Sequence, residues 1–182
     1  MIRAAAGLFR RRGYDGTGLN EILERGGAPR GSLYFHFPGG KEELAAAAIV
    51  EAGATIGAGI ERLLDSTDDV GEAVASVVEL IAADLERSGY RGGCPVAAVT
   101  LDAASSSSER VRAACSEAFD HWQGLLEARL VGAGWARPEA RQEATLVLAA
   151  IEGAQTLARA RRDPEPLRAV ARRLRAELSG AG

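Results

Sequence analysis

Aromatic side chains are scarce in this sequence, whereas small side chains are plentiful. Phenylalanine, tryptophan and tyrosine together make up 5% of the 182 residues, although 47% of the residues are hydrophobic. A core with so few rings is filled mainly by alanine, valine and leucine, which pack densely only where neighbouring elements approach closely. The composition therefore favours closely packed helices over a core built around large rings.

Cysteine and histidine are also rare, with two of each. Cys94 and Cys115 are too few for a disulfide framework and lack further ligands at metal-binding spacing, so we expect both to be buried as small apolar side chains. Cys115 and His121 lie about 240° apart around one predicted helix, so they do not pair as nucleophile and base. The sequence contains no nucleophile elbow, phosphate loop or paired metal motif. These absences predict no enzyme, no metal and no cofactor.

Long apolar runs are missing as well. No uninterrupted stretch approaches the roughly 18 apolar residues typical of a membrane span. The chain does not open with the basic, apolar and small-residue order of a signal peptide. We therefore expect a cytoplasmic protein with no membrane partner.

Positive charge is concentrated near the start of the chain, although the whole chain carries a formal net charge of −3. Residues 1–41 hold seven basic and three acidic side chains, a balance of +4, and the remaining residues hold 15 basic and 22 acidic side chains, a balance of −7. A basic head on an acidic body is the asymmetry expected when only one end meets phosphates.

Helical periodicity dominates, and no strand-like alternation flanked by turn residues is found. Gly13 ends the first helix, Gly26-Gly27 separates the second from the third, and Pro38-Gly39-Gly40 ends the third. The expected helices span about 1–12, 18–25, 29–37, 41–64, 70–87, 95–104, 109–132, 138–161 and 165–178. The predicted fold class is all-α, with a three-helix helix-turn-helix head and a six-helix body.

The head has the parts of a helix-turn-helix, namely two short helices joined by a glycine turn and braced by a preceding helix. Thr17 is predicted to cap the second helix, and Pro29 to take the first position of the third. A capped helix N-terminus attracts a phosphate. In the body, Ser108 is predicted to cap the helix that begins near residue 109.

The third helix carries side chains suited to DNA in its first turns. Arg30 and Ser32 have donors for a phosphate or a base edge, and Gly31 allows a close approach of the backbone. Tyr34 follows on the next turn. This chemistry predicts that the third helix enters the major groove of double-stranded DNA.

On these residues the head resembles the DNA-binding domain of the TetR family of bacterial repressors, over residues 1–44. The matching positions are Ala5, Leu8, Phe9, Gly13, Tyr14, Thr17, Ile22, Gly27, Gly31 to Phe37 and Lys41 to Leu44. The segments 26–34, 38–41 and 93–97 are similar to the LmrA/YxaF-like branch of that family. The resemblance also implies that the first helix begins ahead of residue 1, so that any basic arm preceding it lies outside this sequence.

The resemblance implies a DNA role for seven residues. Those implied to hold phosphates are Thr17, Tyr34, His36 and Lys41, and those implied to face the groove are Arg30, Gly31 and Ser32. Alternatives stay open for three of them, because Tyr34 and His36 also suit packing at the hinge and Lys41 also suits a solvated surface. We interpret the run Arg10-Arg11-Arg12 as a solvated positive surface that attracts phosphates without sequence preference. Recognition of bases by these residues is the less favoured alternative.

The body is predicted to contain an apolar pocket, because its largest side chains lie on three successive helices among alanine and glycine. The predicted lining residues are Ile81, Leu85, Val96, Val99, Phe119 and Trp122, with Glu152 and Gln155 as possible polar contacts. Core packing is the alternative for the aromatic stripe, and contact with solvent or a partner subunit is the alternative for the two polar residues.

Together these features predict a one-component transcriptional repressor with a DNA-binding domain over 1–40 and a ligand-binding and dimerisation domain over 41–182. Apolar stripes on the last two helices, notably Leu167, Val170, Ala171, Leu174 and Leu178, are predicted to meet a second copy. The expected partners are double-stranded operator DNA, a small apolar or aromatic inducer and a second subunit. The alternatives are a helical small-molecule binding protein that does not read DNA and a regulator that needs no ligand.

Overall fold

A computed structural model describes residues 1–103 and 108–179 of the chain. Within these residues every regular element is an α-helix. The helices are α1 (Ile2–Arg12), α2 (Leu19–Arg25), α3 (Arg30–His36), α4 (Gly40–Leu64), α5 (Val70–Arg87), α6 (Pro95–Ala103), α7 (Glu109–Gly132), α8 (Arg137–Arg161) and α9 (Glu165–Leu178). The predicted fold class, an all-α chain with a helix-turn-helix head and a helical body, is confirmed.

The helix bounds follow the turn and capping residues closely. The predicted spans of α5, α7 and α9 are confirmed, and the Ser108 hydroxyl accepts a hydrogen bond from the Val111 N–H at 3.3 Å, as a cap does. Helix α3 begins one residue later than predicted, because Pro29 is the residue that precedes it. The predicted end of α6 at residue 104 lies outside the described residues.

The chain divides into two compact units. The first unit consists of Met1–Thr55 and Cys94–Phe119, and the second consists of Ile56–Gly93 and Asp120–Gly182. These units are defined by contacts, whereas the predicted domains, 1–40 and 41–182, are defined by function. The predicted domain bounds stay a prediction.

The core of the first unit holds the three helices of the head together. Leu8 and Phe9 of α1, Ile22 of α2 and Leu33 of α3 are fully buried, as is Leu44 of α4. Helix α1 packs against α2 and also against α6. These contacts fix the short helices α2 and α3, which would be unstable in isolation.

The second unit is built on α5, which packs against α9 and α8. Leu167, Ala171, Leu174 and Leu178 of α9 are buried within the chain and belong to this core. The prediction that these residues meet a second copy is therefore wrong, because α5 covers them. Of the predicted stripe only Val170 is partly exposed.

Close approach of helices in the second unit depends on a glycine. A Cβ atom at Gly57 would lie 2.5 Å from His121 Nε2 and 3.5 Å from Trp122 Cδ1. The indole of Trp122 is almost completely buried. Glycine at position 57 therefore leaves room for the ring of His121, whereas a Cβ atom there would make only an ordinary contact with Trp122.

Helix α4 is long and apolar enough to cross a membrane by length and composition alone. The sequence criterion of an uninterrupted apolar run missed it, because Glu51 divides its alanine-rich stretch. Core helices of soluble proteins meet the same test, and Leu44, Ala45, Ala48 and Ile49 of α4 are fully buried within protein.

Candidate nucleic-acid interface

The turn between α1 and α2 is closed by backbone and threonine hydrogen bonds. The Gly13 N–H donates to the Phe9 carbonyl at 2.8 Å, with Gly13 at a φ of 69° that favours glycine. The Thr17 side chain is fully buried, and its hydroxyl donates to the Gly13 carbonyl at 2.7 Å. The prediction that Thr17 caps α2 is wrong, since Gly18 takes that position without a side-chain bond. The hydroxyl would have to leave the Gly13 carbonyl to hold a phosphate, so that role stays a prediction.

A glycine turn joins α2 to α3, as predicted. The Gly26 N–H donates to the Ile22 carbonyl at 2.9 Å, and the Ala28 N–H donates to the Leu23 carbonyl at 3.0 Å. Gly27 adopts a φ of 60° between them. This pattern satisfies the last carbonyls of α2 and redirects the chain into α3.

Helix α3 presents one face to the protein and the opposite face to solvent. Leu33 is its fully buried residue, whereas Tyr34 and Phe35 are 54% and 80% exposed. Gly31 is exposed as well, and a Cβ atom built there would contact nothing within 4 Å. The outer face of α3 is thus open along its whole length.

Arg30 is held at the start of α3 by a residue of α2. Its Nη2 donates to Asn20 Oδ1 at 2.9 Å, and both residues are exposed. Ser32 is only partly exposed on the next turn. These two residues, both predicted to face the groove, therefore differ in their exposure and contacts. Arg30 is exposed and held by Asn20, whereas Ser32 is partly covered.

Lys41 is tied to the first turn of the head. Its Nζ donates to the Tyr14 carbonyl at 2.7 Å and lies 4.2 Å from the centroid of the Tyr14 ring. Burial lowers the pKa of Lys41, although the nearby carboxylates Asp15 and Asp102 oppose this effect. An ammonium group has three donors, so protons remain for a phosphate, and that contact stays a prediction.

His36 ends α3 on the exposed side of the head. Its ring meets the Phe35 ring edge to face, with 4.9 Å between centroids. The following turn is fixed by the Gly39 N–H, which donates to Glu43 Oε2 at 2.8 Å. His36 is therefore positioned at the surface beside Phe35 and Tyr34, where its predicted phosphate contact is sterically open.

The basic residues of the head are not all equally available. Arg12 forms an ion pair with Glu21 at 2.8 Å, so part of the arginine run is paired with the protein itself. Arg3, Arg11 and Arg25 are exposed to solvent. The positive field of the head rests on these exposed groups together with Arg30.

Helix α6 adds an acidic contact to the same turn. Asp102 Oδ2 accepts from the Asp15 N–H at 3.1 Å. A Cβ atom at Gly13 would lie 3.4 Å from the Ala98 carbonyl of α6. Sequence reasoning missed Asp102 and Asn20, because hydrogen bonds between helices leave no local pattern in the sequence.

The residues predicted to line a pocket are divided between the two units. Val96, Val99 and Phe119 belong to the first unit, and Ile81, Leu85, Trp122, Glu152 and Gln155 belong to the second. The side chains of Leu85, Val96, Val99 and Trp122 are buried, Gln155 is largely buried, and Ile81, Phe119 and Glu152 are partly exposed. The pocket stays a prediction.

The two cysteines have different environments. Cys115 is buried as predicted, and burial raises the pKa of its thiol. Cys94 is only partly buried, and its Sγ accepts from the Ala97 N–H at 3.4 Å at the start of α6. The prediction that both are simply buried apolar groups is wrong for Cys94, which acts as a helix cap.

Two family descriptions match the chain over most of its length. Residues 1–48 match the bacterial regulatory proteins of the tetR family, and residues 71–173 match the C-terminal domain of LmrA/YxaF-like transcriptional regulators. The chain belongs to the TetR family of DNA-binding transcriptional regulators, which are not enzymes. Within that family it has the LmrA/YxaF-like C-terminal domain.

Relatives in sequence and in structure agree with this assignment. The chain is 34% identical to the HTH-type regulator YxaF of Bacillus subtilis, over 96% of this chain and 91% of that protein. It is 35% identical to the regulator LmrA of the same organism, over 92% and 88% of the two chains. A TetR regulator from Legionella pneumophila shares the fold, with a TM-score of 0.86 at 19% identity over 98% and 95% of the chains.

One similar structure contains DNA. A cysteine mutant of the TetR family regulator CifR, solved in complex with 26-bp double-strand operator DNA, superimposes with a TM-score of 0.81. It is 26% identical over 96% of this chain and 93% of that chain.

Proposed function

We propose that this protein is a homodimeric repressor that binds double-stranded operator DNA through α3 and leaves it when a small apolar or aromatic molecule binds. The observation that carries the proposal is the open outer face of α3, where Gly31, Tyr34 and Phe35 are exposed beside Arg30. The head supplies the positive charge that phosphates attract. The similar regulator CifR was solved with double-strand operator DNA, which supports DNA as the partner of this chain.

Within this proposal the residues of the head that contact DNA divide into two groups. Tyr34, His36 and Lys41 hold phosphates and so fix the register of the protein on the duplex, a contact that carries no sequence information. Arg30 and Ser32 meet base edges, where a bidentate arginine recognises guanine. Residues 1–40 form the DNA-binding domain, and the protein acts in the cytoplasm.

The second subunit is proposed to pack against the exposed side of α8. Leu146 and Leu157 are 56% and 48% exposed and lie about three helical turns apart on one face. Ala149 and Gly153, between them on that face, are also exposed, so a partner helix can approach closely. A two-fold axis places this stripe against its copy on the second subunit. Of the last two helices first predicted to form the interface, α8 therefore supplies the contact, because the named leucines of α9 are buried.

Release by a ligand is proposed to act through the body over residues 41–182. Within the second unit, Ile81 and Trp122 supply apolar surface, and Glu152 and Gln155 supply polar groups for orientation. The ligand shifts the protein only by its difference in affinity for the DNA-bound and free forms. Burial of ligand surface contributes about 25 cal/mol per Å² to that affinity.

The proposal is tested by fluorescence anisotropy on the DNA fragment upstream of the chain's own gene, at two salt concentrations. We expect tight binding at low salt that weakens as salt rises, together with repression of a reporter under that promoter. Planar aromatic compounds are then titrated against the complex while Trp122 emission is followed. Failure to bind DNA, with retained binding of an aromatic compound, would instead support a small-molecule binding protein that does not read DNA.

A further inference from the structure

We propose that Phe35 reads thymine, by packing its ring against the 5-methyl group in the major groove of the operator. This inference rests on the proposed function and adds to it a base-reading residue that neither the sequence motif nor the family description assigns. Its basis is the exposure of Phe35, the place of its side chain on α3 and the chemistry of its neighbours.

Phe35 is the most exposed large hydrophobic residue of the part of the chain that the structure describes. Its side chain is 80% exposed, more than Leu101 at 73%. Leaving a ring in water forfeits the free energy that its burial would supply. A partner surface that covers this ring would recover that free energy.

The ring lies near the centre of the outer face of α3. Leu33, the fully buried residue of this helix, lies about 160° from Phe35 around the helix axis. Gly31 lies one turn before Phe35 on the same side and has no side chain. Tyr34 and His36, both exposed, lie about 100° to either side of Phe35 around the helix axis, so a duplex that meets both also meets Phe35.

The chemistry of the ring selects its partner. A phenylalanine has no donor or acceptor, so it cannot hold a phosphate or read a polar base edge. In the major groove the thymine 5-methyl is the apolar group that distinguishes one base pair from the others. Arg30 at the start of α3, His36 at its end and the absence of acidic residues between them make this helix suited to DNA.

Gly31 provides the space that such a contact needs. A Cβ atom built at Gly31 would have no protein atom within 4 Å. The fold of the protein therefore does not require glycine at this position. A bare backbone one turn before Phe35 lets the base edges approach the helix. Gly31→Ala is therefore expected to leave folding unchanged and to weaken binding to DNA.

The test uses the full-length protein and a duplex selected by it from a random 30-bp library, at about 0.15 M salt. Each thymine of the selected site is replaced in turn by uracil, which lacks only the 5-methyl group. We expect one or two positions in each half-site at which uracil weakens wild-type binding about three- to fivefold, as the loss of one buried methyl implies. The same replacements should have no effect on Phe35→Ala.

Phe35→Leu keeps an apolar side chain and serves as the matched variant. We expect the replacement of thymine by uracil to weaken its binding to DNA, but less than it weakens wild-type binding. Because Phe35 is exposed, all variants are expected to melt at the wild-type temperature. Equal uracil effects in wild type and Phe35→Ala would overturn the inference, as would a changed oligomeric state of Phe35→Ala without any change in thymine dependence. If the wild type selects no duplex at all, the proposed function fails, and this inference fails with it.

Discussion

Lys41 has a role in the fold, and we propose that it also holds a phosphate. Its ammonium group bonds the Tyr14 carbonyl and lies over the Tyr14 ring, which fixes the start of α4 against the turn after α1. A cation held in this way approaches DNA with little further loss of side-chain freedom, and such preorganisation favours binding.

We therefore expect Lys41→Ala to weaken binding to operator and to random duplex by similar factors, because phosphate contacts position the protein without discriminating sequence. The slope of log affinity against log salt should fall by about one. Anisotropy titrations at several salt concentrations measure both quantities. An unchanged salt slope would remove the phosphate contact, and a melting curve separates this effect from loss of the Tyr14 contact.

Arg30 should behave differently, because Asn20 holds its side chain and we propose that it meets a base edge. Arg30→Ala is expected to reduce the preference for operator over random duplex by about 1–3 kcal/mol, the value of a bidentate base contact. Asn20→Ala should give a smaller loss of the same kind, because the arginine remains but is no longer held.

Arg25→Ala is the matched control for Arg30, since it removes the same charge from an exposed site at the end of α2. It should weaken all duplexes equally or not at all. If Arg30→Ala behaves as Arg25→Ala does, then Arg30 is a phosphate ligand and does not read a base.

At the scale of the helix, the ends were the most predictable feature. Gly13, Gly27 and Pro38 interrupt the apolar periodicity, and their positions gave helix bounds accurate to one or two residues. The partner of an apolar face was not predictable in the same way. The stripe on α9 showed that one side of the helix is buried, but periodicity does not tell whether the same chain or a second chain covers it.

The candidate site was predicted to a similar extent. The order of residues predicted the helix that we propose reads DNA, and its bounds are correct to within one residue, because a helix-turn-helix is local in sequence. The hydrogen bonds of this site join separate elements of the fold, so no spacing pattern in the sequence predicts them. They are Arg30 to Asn20, Lys41 to Tyr14 and Asp15 to Asp102. Thr17 was assigned to a cap because its position suited one, whereas the fold buries its hydroxyl against Gly13.

The start of α5 predicts a dependence of stability on pH. Asp69 accepts from the Ser179 hydroxyl at 2.7 Å and from the Glu72 N–H at 2.8 Å, and these bonds lower the pKa of its carboxyl group. The stabilisation is therefore present above the ordinary pKa of an aspartate, about 3.9, and is lost as the pH falls through the lowered value.

Melting temperatures of wild type and Ser179→Ala, measured from pH 7 down to pH 3, test this coupling. The variant should melt lower at pH 7, and its deficit should shrink as Asp69 becomes protonated. Asp69→Asn supplies the control, since it cannot titrate at that position. A deficit that stays constant with pH would show that the Ser179 bond does not depend on the charge of Asp69.

At the scale of the whole molecule, the proposed interface on α8 allows assembly and folding to be tested separately. Leu174 lies in the core of the second unit, so Leu174→Glu should leave a buried carboxylate without a partner and unfold that unit, at a cost of several kcal/mol. Leu146 is exposed on α8, so Leu146→Glu should yield folded monomers. Sedimentation velocity with circular dichroism distinguishes these outcomes, and an intact dimer of Leu146→Glu would place the interface elsewhere.

The division into two units also has an optical consequence. Both tryptophans, Trp122 and Trp135, belong to the second unit, whereas the first unit contains tyrosine and phenylalanine but no tryptophan. Emission excited near the red edge of indole absorption therefore follows the unfolding of the second unit alone, while far-ultraviolet dichroism follows helices of both. In a denaturant titration the two signals will coincide only if the two units unfold together.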